Sequence, residues 1–107
     1  MIARCAGAIV VIALLPVHAA RAQDVDAGER IAQARCSHCH LMGGAEDKGT
    51  SLIPTFAAIA KMTSTTEKSL AVFLSTPHAP MPDLVLSRTE IRDVSAYILS
   101  LRGPPTP

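Results

Sequence analysis

The chain has 107 residues, with 10 lysines and arginines against 9 aspartates and glutamates, for a formal net charge of +1. This length suits one small domain, and a near-neutral charge without a basic cluster argues against a nucleic-acid-binding protein. With no tryptophan, one tyrosine and two phenylalanines, such a domain needs a staple: a disulfide, a metal or a cofactor.

The first 22 residues have the organisation of a secretory signal peptide. Arg4 supplies a positive charge, residues 6–17 are apolar, and Ala20-Arg21-Ala22 forms a small-x-small cleavage site. The apolar stretch falls short of the roughly 20 residues that span a bilayer. We therefore expect export and cleavage after Ala22, with a retained N-terminal anchor as the alternative. Cleavage also removes Cys5 and leaves a mature chain with two cysteines.

The mature chain begins with a predicted helix that leads into those cysteines. Asp26 and Glu29 have capping-box spacing, and the helix is expected to continue to Cys36. Residues 41–54 hold three of the six glycines and little periodicity, which predicts a loop. Pro54 then suits the first turn of a short helix over residues 55–61.

Two further helices are predicted by capping boxes at residues 64–67 and 87–90. The last helix has the most regular apolar spacing in the chain and is expected to end at Gly103. No stretch alternates with period two over a strand's length. The fold class is therefore all-α, about four short helices, in a single domain over residues 23–103 followed by a disordered tail at 104–107.

Residues 36–40 read Cys-Ser-His-Cys-His, the attachment motif of a c-type haem. Two thiols three positions apart lie on one side of a helical turn, where both can reach the vinyl groups of one porphyrin. The imidazole of His40 then falls on one face of the ring and can bind the iron. Zinc binding or a redox dithiol through Cys36 and Cys39 is the alternative, although neither the usual second ligand pair nor a βαβ context is present.

A haem iron held by one imidazole has a sixth position, and its occupant decides the function. Met42 is too close to His40 to reach the other face, and Met62, at the end of a short helix, has the pattern of an ordinary apolar residue. His78 and Met81 share the segment 76–82, which carries three prolines and suits the presentation of one side chain. Both remain candidates on this reasoning.

The mature chain resembles the class I (monohaem) cytochromes c of the small bacterial periplasmic type. The resemblance rests on the haem motif, on Met81-Pro82 and on the last helix, together with Gly28 before the motif and Phe56 after Pro54. It implies a small cytochrome c fold around one covalently attached haem c. Cys36 and Cys39 would form thioethers, and His40 and Met81 would be the axial ligands.

The resemblance also implies two supporting contacts and one departure from the family pattern. The Pro54 carbonyl would accept a hydrogen bond from the His40 ring, and Gly28 would allow a close crossing of the first and last helices near Tyr97. Ala32 stands where an aromatic residue often packs in that crossing, so a looser contact is expected there.

The implied function is single-electron transfer in the periplasm, without an enzyme active site. The partners would be a redox donor and acceptor, for example a periplasmic dehydrogenase or a terminal oxidase, with no nucleic acid and no membrane span in the mature chain. Two alternatives stay open. The chain could be the cytochrome subunit of a periplasmic dehydrogenase complex, or a haem sensor or peroxidase-like protein whose sixth position is labile.

Overall fold

The computed structural model describes residues 22–42 and 53–104. This part of the chain forms four α-helices: α1 (Val25–Arg35), α2 (Phe56–Lys61), α3 (Glu67–Ser75) and α4 (Arg88–Ser100). An isolated bridge between His78 and Met81 is the nearest approach to β-structure in the described residues. The all-α prediction is confirmed. Residues 1–21 of the predicted leader, most of the predicted 41–54 loop and residues 105–107 lie outside the described residues.

Helix α1 begins two residues earlier than the sequence pattern suggested. Its N-cap is Asp24, which has extended backbone angles and accepts a hydrogen bond from the Ala27 N–H at 2.8 Å. The predicted capping box of Asp26 and Glu29 is wrong, because Asp26 lies inside the first turn. A tertiary bond helps to select Asp24: its own N–H donates to Oδ1 of Asp93 at 3.0 Å.

The starts of α2 and α3 also differ from the predictions. Thr55 caps α2 by accepting from the Ala58 N–H at 3.0 Å, so Pro54 stands outside the helix rather than in its first turn. Helix α3 is capped by Thr66 and Ser69, which bond to each other's backbone N–H, and not by the predicted box that begins at Ser64. The Ser64 carbonyl instead accepts from the Ser69 hydroxyl at 3.0 Å.

Helix α4 follows its prediction. The Ser87 N–H donates to Glu90 at 2.7 Å, and the Glu90 N–H donates to the Ser87 hydroxyl at 3.2 Å, which completes the capping box. After Ser100, Gly103 adopts a positive φ of 76°, consistent with the expected end of the helix. The Arg102 side chain turns back and donates to the carbonyls of Ala60 and Thr65, which ties this end of α4 to the region between α2 and α3.

The close crossing of α1 and α4 is confirmed at Gly28. A Cβ on this residue would lie 2.0 Å from the carbonyl oxygen of Asp93 and 3.0 Å from Cβ of Tyr97. One turn further along α1, Ala32 is fully buried. The two backbones therefore approach closely because the residues between them are small, and α4 becomes the central helix against which the others pack.

The buried core is small. Its members come from all four helices and from the end of α1, and Val94 is the largest apolar side chain that is fully buried among the described residues. Within the part of the chain that the structure describes, no helix is long and apolar enough to cross a bilayer. The core cluster consists of Ala32, Cys36, Phe56, Ala60, Leu70, Val94, Tyr97 and Ile98.

Candidate haem-attachment site

The two cysteines lie on a helical turn that continues the end of α1. The N–H groups of Cys39 and His40 both donate to the Cys36 carbonyl, at 3.1 and 2.9 Å. Neither thiol is in a disulfide; Cys36 is buried and Cys39 is exposed. One turn thus carries two unpaired thiols and an imidazole, as the motif predicted.

The orientation of His40 is fixed by a backbone carbonyl. Its Nδ1 lies 2.8 Å from the carbonyl oxygen of Pro54. Because a carbonyl oxygen can only accept, Nδ1 carries the proton and Nε2 keeps its lone pair. That is the tautomer that binds a metal, and a hydrogen bond of this kind is the usual support of a ligating histidine.

The ring of His40 packs against two aromatic residues, one directly and one through the other. The ring of Phe56 lies 5.0 Å from it, with an interplanar angle of 15°, and the Phe56 N–H donates to the Leu41 carbonyl at 3.2 Å. Tyr97 packs edge-on against Phe56 at 6.3 Å, and its hydroxyl donates to the Met42 carbonyl at 3.3 Å. Leu41 and Met42, which follow the motif, are therefore hydrogen-bonded to Phe56 of α2 and to Tyr97 of α4.

Tyr97 stays a neutral phenol in this position. Burial raises the pKa of Tyr97 above its usual value, and the negative charge of Glu29 acts in the same direction. The hydroxyl therefore remains a hydrogen-bond donor to Met42 across the physiological pH range.

The second group of candidates lies between α3 and α4. His78 and Met81 are half-buried, and Nε2 of His78 lies 3.1 Å from Sδ of Met81. The His78 Nδ1 lies 2.8 Å from the Thr76 carbonyl oxygen, and the His78 ring packs on Phe73 with centroids 3.7 Å apart. The structure thus brings His78 and Met81 together; within the described residues, the hydrogen bonds and ring contacts do not join them to the motif.

The alternatives to haem fit the site poorly. Burial raises the pKa of the Cys36 thiol, against a smaller lowering by the charge of Arg35, whereas a redox dithiol needs a nucleophile with a depressed pKa. In the described part of the chain, no group of three or more His, Cys, Asp or Glu side chains gathers to hold a metal ion. Neither zinc nor dithiol chemistry is supported by this arrangement.

The apolar surroundings do fit a haem. The core of the described residues has few large side chains, Phe56 and Tyr97 among them, yet Leu41, Ile53 and Phe73 are 43%, 37% and 55% exposed. Leu41 follows the motif, Ile53 precedes Pro54, and Phe73 contacts His78. A large, flat apolar group held by the two thiols would supply the missing core and cover such side chains.

Comparison with known proteins identifies the family. Residues 23–98 match the family described as cytochrome c oxidase, cbb3-type, subunit III. The chain belongs to this cytochrome c family. A similar protein, cytochrome c-552 of Bradyrhizobium diazoefficiens, is 39% identical over 83 residues, which cover 78% of this chain and 80% of that relative. Among solved structures, none matches the chain significantly.

Membership of the family confirms the resemblance to small class I cytochromes c. This cytochrome carries covalently attached haem c with its iron, and it is a c-type cytochrome of electron transfer that works with redox partners. The individual roles of Cys36, Cys39, His40 and Met81 stay predictions.

Sequence reasoning missed two supports of the site. One is the stack of Phe56 on His40, for which the only signal was the position of Phe56 shortly after Pro54. The other is the anchoring of His78 by Phe73 and by the Thr76 carbonyl. Met62, considered and set aside as a ligand, is 47% exposed at the end of α2.

Proposed function

We propose that this cytochrome is an exported periplasmic carrier of single electrons. Its haem would be attached through Cys36 and Cys39 and ligated by His40 and Met81. One observation carries the proposal: His40 shares a turn with two unpaired thiols, and its Nδ1 is committed to the Pro54 carbonyl at 2.8 Å. The nitrogen that remains is the one that a haem iron would bind.

The surroundings of His40 suit electron transfer because they hold the ligand still. When bound, the haem supplies a one-electron iron couple. The Pro54 carbonyl fixes the tautomer and raises the basicity of the imidazole, and the Phe56 ring restrains its rotation at 5.0 Å. A ligand held from two sides rearranges little when the charge of its metal changes, which is what a fast carrier requires.

Met81 is our proposed distal ligand because a thioether suits an electron carrier. Methionine opposite histidine raises the potential of a haem iron and leaves no open coordination position. The three prolines of residues 76–82 stiffen the segment that presents the sulfur. A closed iron does not activate peroxides, so we propose no enzymatic activity.

Residues 1–22 are proposed to be the leader that exports this chain, with cleavage after Ala22. Covalent haem attachment and the proposed cleavable leader both support a periplasmic location of the mature protein. Partner proteins would meet it at a small transient interface, the type expected for redox encounters.

A second candidate function is that of a cytochrome subunit in a larger enzyme. The family description names an oxidase subunit, which favours this candidate, and a periplasmic dehydrogenase is another complex of this kind. The relative cytochrome c-552 is matched over 80% of its own length, so it is itself a small protein, which favours the carrier.

The test is to produce the protein with a cytochrome c maturation system and compare it with a Cys36→Ala/Cys39→Ala variant. We expect haem that survives acid–organic extraction in the parent and is lost from the variant. Haem that survives in the variant would contradict thioether attachment through these cysteines. Monomeric elution of the protein purified from its native host would support the carrier, and co-elution with a large partner would support the subunit.

A further inference from the structure

The two histidines His40 and His78 are supported in the same way. In each, Nδ1 lies 2.8 Å from a backbone carbonyl oxygen, that of Pro54 for His40 and that of Thr76 for His78. In each, a phenylalanine ring packs on the imidazole: Phe56 at 5.0 Å and Phe73 at 3.7 Å. Both side chains are therefore held as the tautomer whose Nε2 has a free lone pair.

The Nε2 of His78 is directed at the atom proposed to bind the iron. It lies 3.1 Å from Sδ of Met81. Because Nδ1 donates to the Thr76 carbonyl, Nε2 is the ring nitrogen left to bind a metal, and it lies against the sulfur. Two atoms that can ligate iron, Nε2 of His78 and Sδ of Met81, thus lie side by side on the same segment.

We infer that His78 is a reserve ligand, which occupies the sixth position of the iron whenever the sulfur of Met81 is removed. The inference rests on the proposed His40/Met81 ligation. Imidazole is an established haem ligand, and a donor held beside the leaving sulfur has a high effective concentration compared with any ligand from solution. No change of tautomer is needed, because the hydrogen bond to Thr76 already presents Nε2 in its ligating form.

A reserve ligand keeps the iron closed after the loss of Met81. With His78 in place, the iron would be held by two imidazoles, its potential would fall, and small molecules such as carbon monoxide would still be excluded. The protein would lose efficiency as a carrier without becoming a haem enzyme. His78 thus acts as a safeguard against the peroxidase-like chemistry of an open iron.

The test compares three variants of the haem-loaded protein: Met81→Ala, Met81→Ala/His78→Ala and Met81→Ala/His38→Ala. His38 is the matched control, because it is an exposed histidine of the motif. We expect Met81→Ala and the His38 control to remain low-spin, and Met81→Ala/His78→Ala to become high-spin. If His78 holds the iron about 90% of the time, the apparent carbon monoxide affinity of ferrous Met81→Ala is about tenfold weaker than that of Met81→Ala/His78→Ala.

Free imidazole added to Met81→Ala/His78→Ala should restore a low-spin spectrum, which shows that the fold and the haem are intact. The inference is overturned if Met81→Ala is already high-spin and binds carbon monoxide as tightly as Met81→Ala/His78→Ala. It is also overturned if the His38 control opens the iron equally. A parent protein that lacks the sulfur-to-iron band and loses its low-spin state with His78→Ala alone refutes the Met81 assignment itself, because His78 would then be the primary ligand.

Discussion

The ring of His40 lies flat on the ring of Phe56, with centroids 5.0 Å apart and planes 15° apart. Phe56 is also one of the few large side chains in the core, at 4% exposure. Phe56→Ala should therefore both destabilise the fold and free the imidazole. We expect a loss of about 3–5 kcal/mol in the free energy of unfolding, measured by denaturant titration of the haem-loaded protein.

A matched variant separates these two effects. Phe56→Leu keeps most of the apolar volume but removes the aromatic face, and it should lose less stability than Phe56→Ala. A Phe56→Leu variant as stable as the parent would show that the ring face contributes nothing beyond its volume.

The approach of α1 to α4 predicts a strong effect of a single methyl group. In Gly28→Ala, the new Cβ would lie 2.0 Å from the carbonyl oxygen of Asp93, so one helix must move. We expect the overpacking to cost about 1–3 kcal/mol or more of unfolding free energy. Gly103→Ala is the control, because no atom lies within 4 Å of its added Cβ and only its positive φ is strained. A Gly28 variant no less stable than this control would contradict the close crossing.

The Ser87–Glu90 capping box predicts a pH-dependent stability. The hydrogen bond from the Ser87 N–H, and that with its hydroxyl, lower the pKa of Glu90. A carboxyl with a lowered pKa in the folded state stabilises the fold above its unfolded pKa, about 4.3, and this contribution is lost as the pH falls through the folded value. Glu90→Gln should flatten that part of the curve of unfolding free energy against pH.

Ser87→Ala provides the comparison for the capping box. It keeps the backbone donor and removes the hydroxyl, so it should retain part of the acid dependence. An unchanged acid slope in Glu90→Gln would contradict the role of this carboxylate.

Met81 and Met62 give a matched pair for the ligand assignment. We expect Met81→Ala to lower the reduction potential while the haem stays attached, because the thioether that favours reduced iron is lost. Met62→Ala, at an exposed position, should leave the potential unchanged in a spectroelectrochemical titration. The parent ferrous protein should not bind carbon monoxide; binding at neutral pH would instead favour the sensor or peroxidase-like alternative.

The start of a helix was predictable from sequence where a standard capping pattern lies within one turn. It was not predictable where a tertiary contact selects the N-cap or where an unusual residue completes the capping box. Ser87 and Glu90 bond to each other within one turn, and the predicted box is correct. At the start of α1, Asp24 and Asp26 are both acceptable N-caps, and the bond from the Asp24 N–H to Asp93 lies outside any local pattern. Helix α3 is a different case, because Thr66 and Ser69 form a local capping box in which serine stands where the usual pattern has Glu or Gln.

The candidate site was likewise predictable only in part from the sequence. The spacing of Cys36, Cys39 and His40 is itself the chemical requirement, so the sequence predicts their shared turn. The hydrogen bond from His40 to Pro54 was implied by the family resemblance and is present. The contact of His78 with Met81 depends on how the proline-containing segment folds back on itself, which three-residue spacing does not determine.

The visible spectra of the oxidised and reduced haem-loaded protein test the central claim most directly. The account predicts sharp c-type bands on reduction and, on oxidation, the weak far-red sulfur-to-iron band, which disappears in Met81→Ala and persists in Met62→Ala. A parent protein with haem bands but without the far-red band would contradict His40/Met81 ligation.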